Sequence, residues 1–283
     1  MRSSKNDAGR RPAVKLGVGR LRAYQILLAV VLLVLWHVAT SPTLLPPIYF
    51  DDPNKAAFFF GEPLEAALRI WHWFASGHIY RHLWVTLIET LLAFVIGTVS
   101  GVVVGIWLAL APTASAVFDP YIKAANAMPR VILAPIFFLW FGLGIASKVA
   151  LGVTLVFFIV FFNVYQGVRE VSPVVLSSAR MLGASPRQLL RYVYLPSAMS
   201  WVFASLHNSV GLAFVGAVVG EYLGSSEGVG YLIQQAEGVF DINTVVAGIV
   251  VLTAFALALD GIVSLAERRL MVWQPRSGES ERL

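Results

Sequence analysis

The sequence predicts an all-α polytopic membrane protein with about six transmembrane helices, and three observations predict it. The 283 residues are 58% hydrophobic and only 13% charged, with a mean hydropathy of +0.74; a soluble domain carries about 25% charged residues. The apolar residues concentrate in runs of roughly 18 or more, the length that crosses a bilayer core. Most Lys and Arg fall in the segments that a six-span count places on one side, as cytoplasmic loops do. The net charge of +5 is therefore read as membrane topology, not as a nucleic-acid site. Cysteine is absent, which excludes disulfides, thiolate metal sites and cysteine nucleophiles.

Residues 1–22 hold seven basic residues against one Asp and read as a cytoplasmic basic tail. The first span is 23–40; its basic lead and apolar core also suit a signal peptide, but VATSP is a poor cleavage site. Residues 41–82 are Pro-rich, then amphipathic with Trp and Tyr, and fit a periplasmic loop with an interfacial segment. The core of the molecule is 83–270. Its opening span, 83–110, places Gly97, Gly101 and Gly105 on one helix face, where another helix packs backbone-close. The third span is broken by Pro129 and Pro135, which lipid tolerates only where protein or a cavity satisfies the freed backbone. A fourth span covers 147–168. The fifth, 197–220, repeats the small-residue face with Gly216 and Gly220. Residues 221–243 carry four acids and no Lys or Arg. The last span, 244–266, leads to a cytoplasmic tail, 271–283, so both termini fall inside.

Between the fourth and fifth spans lies a basic insert within 170–196, containing SSARMLGASPRQLLRYVYLP. Ser172-Pro173 starts one short helix and Gly183 stops it. Ser185-Pro-Arg-Gln188 starts a second with a capping box, and Pro196 is expected to end it at or before Leu195. Leu189, Leu190, Val193 and Tyr194 share one face, Arg187, Gln188 and Arg191 the other. Such a pair is either a docking element for a partner or an interfacial helix pair on anionic lipid.

The insert resembles the cytoplasmic coupling loop of ABC-importer permeases: Ser177, Ser178 and Ala179, then Gly183-Ala184, Val193, Leu195 and Pro196 keep the spacing of the family's E-A-A…G…Leu-Pro pattern. The Glu and first Ala of that pattern are both Ser here. Similarity to the nitrate/sulfonate/taurine-type permeases runs from about 84 to 273, through PRVILAPIFFLWFGLG, VVGEYLGSSEGVGYLI and LDGIVSLAERRLMVW. At His207 the family would carry Arg. The resemblance implies a type I ABC importer permease fold in the bacterial inner membrane. It further implies a homodimer of permease chains, two cytoplasmic ATPase subunits contacted through Arg187 and its neighbours, and a periplasmic binding protein. Relatives in this group import small oxyanions, sulfonates, or heterocyclic and aromatic precursors, and the implied solute is a small organic anion such as a sulfonate, or one like nitrate or taurine.

No Lys follows a Gly in the chain, so there is no G-x-x-x-x-G-K-[ST] phosphate loop. Bound ATP-Mg would belong to a partner, and no cofactor or metal site is expected in this chain. Nor is catalysis: no residue set has the spacing of a hydrolase triad. Ser205, His207, Asn208 and Ser209 form the most polar patch in any span and, with Glu221, are candidate pathway residues. Glu89 reads as a helix-start feature, from Thr86-x-x-Glu89, or as an intramembrane acid. Asp260 reads as an interhelical hydrogen-bonding group or a proton-relay acid. Glu267 joins an interfacial charge cluster, and His37 a buried or snorkelling position. The competing class is an ion-coupled secondary transporter, which would need no ATPase but often shows inverted repeats.

Overall fold

The computed structural model describes residues 18–41 and 54–270. Most of the basic tail, the Pro-rich stretch 42–53, the 271–283 tail and the side chain of Glu267 lie outside the described residues. The chain divides into two compact units, 1–66 and 67–283. In the first, α1 (Val18–Thr40) begins five residues before the expected start at 23 and is apolar on all sides. Its side chains are largely exposed, as suits a helix whose solvent is lipid. Trp36 Nε1 donates to the Phe60 carbonyl at the end of α2 (Asn54–Phe60), 3.2 Å away.

The second unit is a helix bundle, with no strand among the described residues. After α3 (Pro63–Ala75), its centre is formed by α4 (His78–Leu110), α7 (Ile145–Arg169) and α10 (Leu195–Leu223). Ala93, Val156, Val160, Val164, Ala198 and Ala213 are fully buried where these three meet. Small and β-branched side chains at this seam let the backbones approach closely; between lipid-solvated helices such packing, not water exclusion, holds the bundle. Gly97, Gly101 and Gly105 lie along α4 against Val156, Val160 and Val164 of α7. α7 and α10 also cross closely, with Gly152 and Gly216 facing each other backbone to backbone.

The broken span has the form its prolines predict. The helix α5 (Pro112–Ala127) ends at Met128-Pro129; a 3₁₀ turn, Arg130–Leu133, then leads into α6 (Ala134–Phe141), and the two halves bend by 91°. At the far end of α10, α11 (Val229–Gly238) packs on α12 (Ile242–Leu270) over a second core containing Ile79, Val229, Ala247 and Val251. Among the described residues four helices are long and apolar enough to cross a membrane, and up to six if each bent pair is one span.

Two expectations are corrected. α4 starts at His78, not near 83, so Thr86 and Glu89 are buried mid-helix and form no capping box. The polar stretch HIYRH forms the first turn of the helix. Pro196 does not end the second insert helix: α9 (Pro186–Leu189) runs through a wide π turn, Leu190–Tyr194, straight into α10. Proline lacks a backbone donor and clashes with the carbonyl four residues back. The wide turn relaxes that spacing, and Pro196 then occupies the first turn of α10, where a donor is not needed.

Candidate functional site

At one end of the bundle sits the insert. Helix α8 (Pro173–Met181) closes with Gly183 at φ +80°, a left-handed backbone that only glycine adopts freely. The Ala184 N–H reaches back to the Ala179 carbonyl at 3.1 Å and the Gly183 N–H to Arg180 at 2.9 Å, so the last turn of α8 is closed off. Ser185 then caps α9: its Oγ accepts from the Gln188 N–H, and Gln188 Oε1 accepts from the Ser185 N–H at 2.7 Å. Leu189 is buried, Leu190, Val193, Tyr194 and Leu195 are half-buried, and Arg187, Gln188 and Arg191 are exposed. Ser177, Ser178 and Pro196 are exposed and Ala179 and Ala184 half-buried. The tip between the helices is apolar and bare: Met181 is 82% and Leu182 89% exposed. The insert thus presents a charged face and a bare apolar tip side by side.

At the other end, three charged side chains are buried together. Lys148, Glu89 and Glu221 are each 1% exposed or less. Lys148 donates to the carbonyls of Leu143 and Gly144 in the α6–α7 turn and sits over the Phe138 ring. Glu221 accepts from Thr86 Oγ1 at 2.5 Å and from the Gly230 N–H at 2.8 Å; Glu89 contacts Glu221, and both feel the charge of Lys148. His82 Nδ1 accepts from the Gly228 N–H at 3.1 Å. The cluster therefore pins α4, the α6–α7 turn and the α10–α11 turn to one another. Burying charges is costly unless they are paired and hydrogen-bonded, and here almost all their polar atoms have partners, Glu89 Oε2 excepted.

The polar patch of α10 separates into two sets. Ser205 and Ser209 are buried and donate to carbonyls of their own helix, and Glu221 is enclosed in the cluster just described. His207 and Asn208 face outward. His207 Nε2 lies 2.9 Å from Asp260 Oδ1 of α12, beside a cavity of about 260 Å³. Asp260 thus makes an interhelical contact. A larger cavity, about 440 Å³, opens between α5 and α7 and is lined by Ser115, Asp119, Asn163, Tyr165 and Trp201; a 2.6 Å hydrogen bond joins Ser115 to Tyr165. Among the described residues no three His, Asp or Glu side chains gather as a metal site.

A family model described as the binding-protein-dependent transport system inner membrane component matches residues 101–272, which span the broken helix, the insert and the last span. The chain belongs to this family of transport permeases. The permease is 31% identical over 248 residues to the taurine transport system permease protein of Escherichia coli (strain K12), covering 87% of each chain. It is 30% identical over 254 residues to a protein of Bacillus subtilis (strain 168) named for aliphatic sulfonates transport, covering 88% of this chain and 87% of that one. Its fold is that of ABC importer permeases: a chain from an amino acid ABC transporter crystallised with histidines superposes with a TM-score of 0.55 at 20% identity, over 69% of this permease and 95% of that chain.

Two groups of the permease escaped sequence reasoning. Lys148 opens an apolar span and looks interfacial, yet it is fully buried. Arg130 follows Pro129 in the broken span, and a charge beside a helix break was the signal to weigh.

Proposed function

We propose that two copies of this permease form the pathway of an ATP-driven importer for a small organic anion, with α8 and α9 seated on a separate cytoplasmic ATPase. The single observation that carries the reading is the insert: a closed-off turn with a bare apolar tip and an exposed arginine face, joined to α10 without a loop. ATP-Mg is bound and hydrolysed by the partner, since this chain has no phosphate loop. A periplasmic binding protein delivers the solute at the α11 end. The distribution of Lys and Arg supports a cytoplasmic position for the insert and both termini. The sulfonate and taurine relatives support an anionic solute.

The test is recovery of the tagged permease from its native membrane in mild detergent. An ATPase should accompany it. Gly183→Pro forbids the φ of +80° and displaces the tip, while Arg187→Glu reverses an exposed charge at the cost of about one charge-assisted contact; each should lower ATPase recovery about tenfold or more. A chain recovered alone, with uptake driven by an ion gradient and indifferent to both changes, would sink this reading in favour of a secondary transporter.

A further inference from the structure

Arg130 is a cation within the bundle with no acid among the described residues at ion-pair distance. It stands at the break of the α5–α6 span, directly after Pro129. Its guanidinium lies over the Phe158 ring, 4.9 Å from the centroid. Phe158 is the fourteenth of the 25 residues of α7, about 20 Å from one end of that helix and about 17 Å from the other at 1.5 Å per residue. The guanidinium is therefore level with the middle of a helix long and apolar enough to cross a membrane. A lipid headgroup cannot reach the middle of such a span.

The acids near the break do not neutralise it. Among the described residues no carboxylate comes within 4 Å of Arg130; the ion pairs there join Arg69 to Asp241, Arg81 to Glu227, Lys123 to Asp119 and His207 to Asp260. The hydrogen bonds of Arg130 go from Nη2 to the carbonyl and Oδ1 of Asn126, 3.3 and 2.5 Å away, while Nε is buried without a partner. Asn126 and Phe158 fix the plane of the guanidinium and leave the rest of its fork unused. An intramembrane Arg is expensive, and it is kept where it faces a substrate path or an opposite charge. Discontinuous helices put such groups at the midplane for the same purpose.

We infer that Arg130 is the anion-recognition group of the translocation pathway: a guanidinium, oriented by Asn126 and Phe158 at the helix break, that takes the carboxylate, sulfonate or small oxyanion group of the solute on its free N–H donors. A planar fork matches such an oxyanion in a way that a lysine does not. This rests on the reading above, that the permease carries a small anion.

The chain has no cysteine, so Arg130→Cys places a unique thiol in the permease. The full importer, with its own ATPase and binding protein, is reconstituted in vesicles, and ATP-driven uptake of labelled methanesulfonate and taurine is read on the unsubstituted complex first. Absence of uptake there would overturn the anion-importer reading and this inference with it, before any variant is made. With uptake established, Arg130→Cys should lower it about tenfold or more, as expected for one charge-assisted hydrogen bond. Modification by water-borne 2-aminoethyl methanethiosulfonate, which restores a cation, should recover most of the loss. The 2-sulfonatoethyl reagent, of the same length and opposite charge, should leave uptake low. Should the cysteine variant not assemble, Arg130→Lys and Arg130→Gln are compared: lysine should retain uptake with a raised KM, glutamine should not. Unchanged uptake in Arg130→Cys, equal rescue by both reagents, or equal uptake in the lysine and glutamine variants would each overturn the assignment.

Discussion

Replacing Lys148 by Met should be among the most damaging single changes in this permease. The substitution preserves much of the side-chain volume but leaves Glu89 and Glu221 buried with no cation beside them. Removing a buried cation leaves the neighbouring buried acids less compensated, and each buried carbonyl that loses its donor costs about 1–3 kcal/mol. The Leu143 and Gly144 carbonyls also lose their donor. Thermal unfolding of the detergent-purified permease, followed by size-exclusion chromatography, should show a midpoint lowered by about 10 °C. Adding Glu89→Gln should recover part of the loss, since it removes one of the stranded acids and keeps its shape. A Lys148→Met protein that melts with the wild type would mean that the three charges are not energetically joined.

Gly216→Leu should fail for a different reason. A Cβ at position 216 would lie 2.5 Å from the Gly152 Cα and 3.0 Å from its nitrogen, and backbone cannot swing aside as a side-chain tip can. Even Gly216→Ala must push α10 off α7, at about 1–3 kcal/mol by the cost of overpacking. Leu should abolish accumulation of folded permease in the membrane. Gly261→Ala is the control: it is helical and nothing lies within 4 Å of its added methyl, so it should match or exceed the wild type, by about 0.5–1 kcal/mol. Accumulation and melting of the three variants, measured side by side, decide whether the α7–α10 crossing is as tight as it looks.

The helices were legible because lipid imposes a simple rule on sequence: apolar runs of fixed length, punctuated by proline, glycine and charge. The break at Pro129, the stop at Gly183 and the box at Ser185–Gln188 are local signals, carried within a few residues of the structure they cause. The buried cluster is not local. Glu89, Lys148 and Glu221 come from three different spans, and each alone has an ordinary explanation at its own position. Thr86-x-x-Glu89 even imitates a capping box, while the true start at His78 has a glycine before it and no side-chain cap. Likewise Ser205 and Ser209 differ from His207 only by which way α10 is turned, and that is set by its packing on α4 and α7. Pro196 misled because proline normally stops a helix; the wide turn before it, which no residue type announces, is what lets the helix pass.

That turn also acts as an indexing device. A π turn takes in one residue more than α spacing allows, and here it sits between the insert and the first turns of α10, where Ala198 and Val202 are locked into the core. Tightened to α spacing with no residue removed, it would advance everything after Tyr194 by about 100° relative to α9. Excising one residue from Leu190–Tyr194 would instead close the turn and leave both faces where they are. The insert and the bundle are thus set against each other like a shaft and a gear one tooth apart, and the setting is held by the fit of two small side chains against α7.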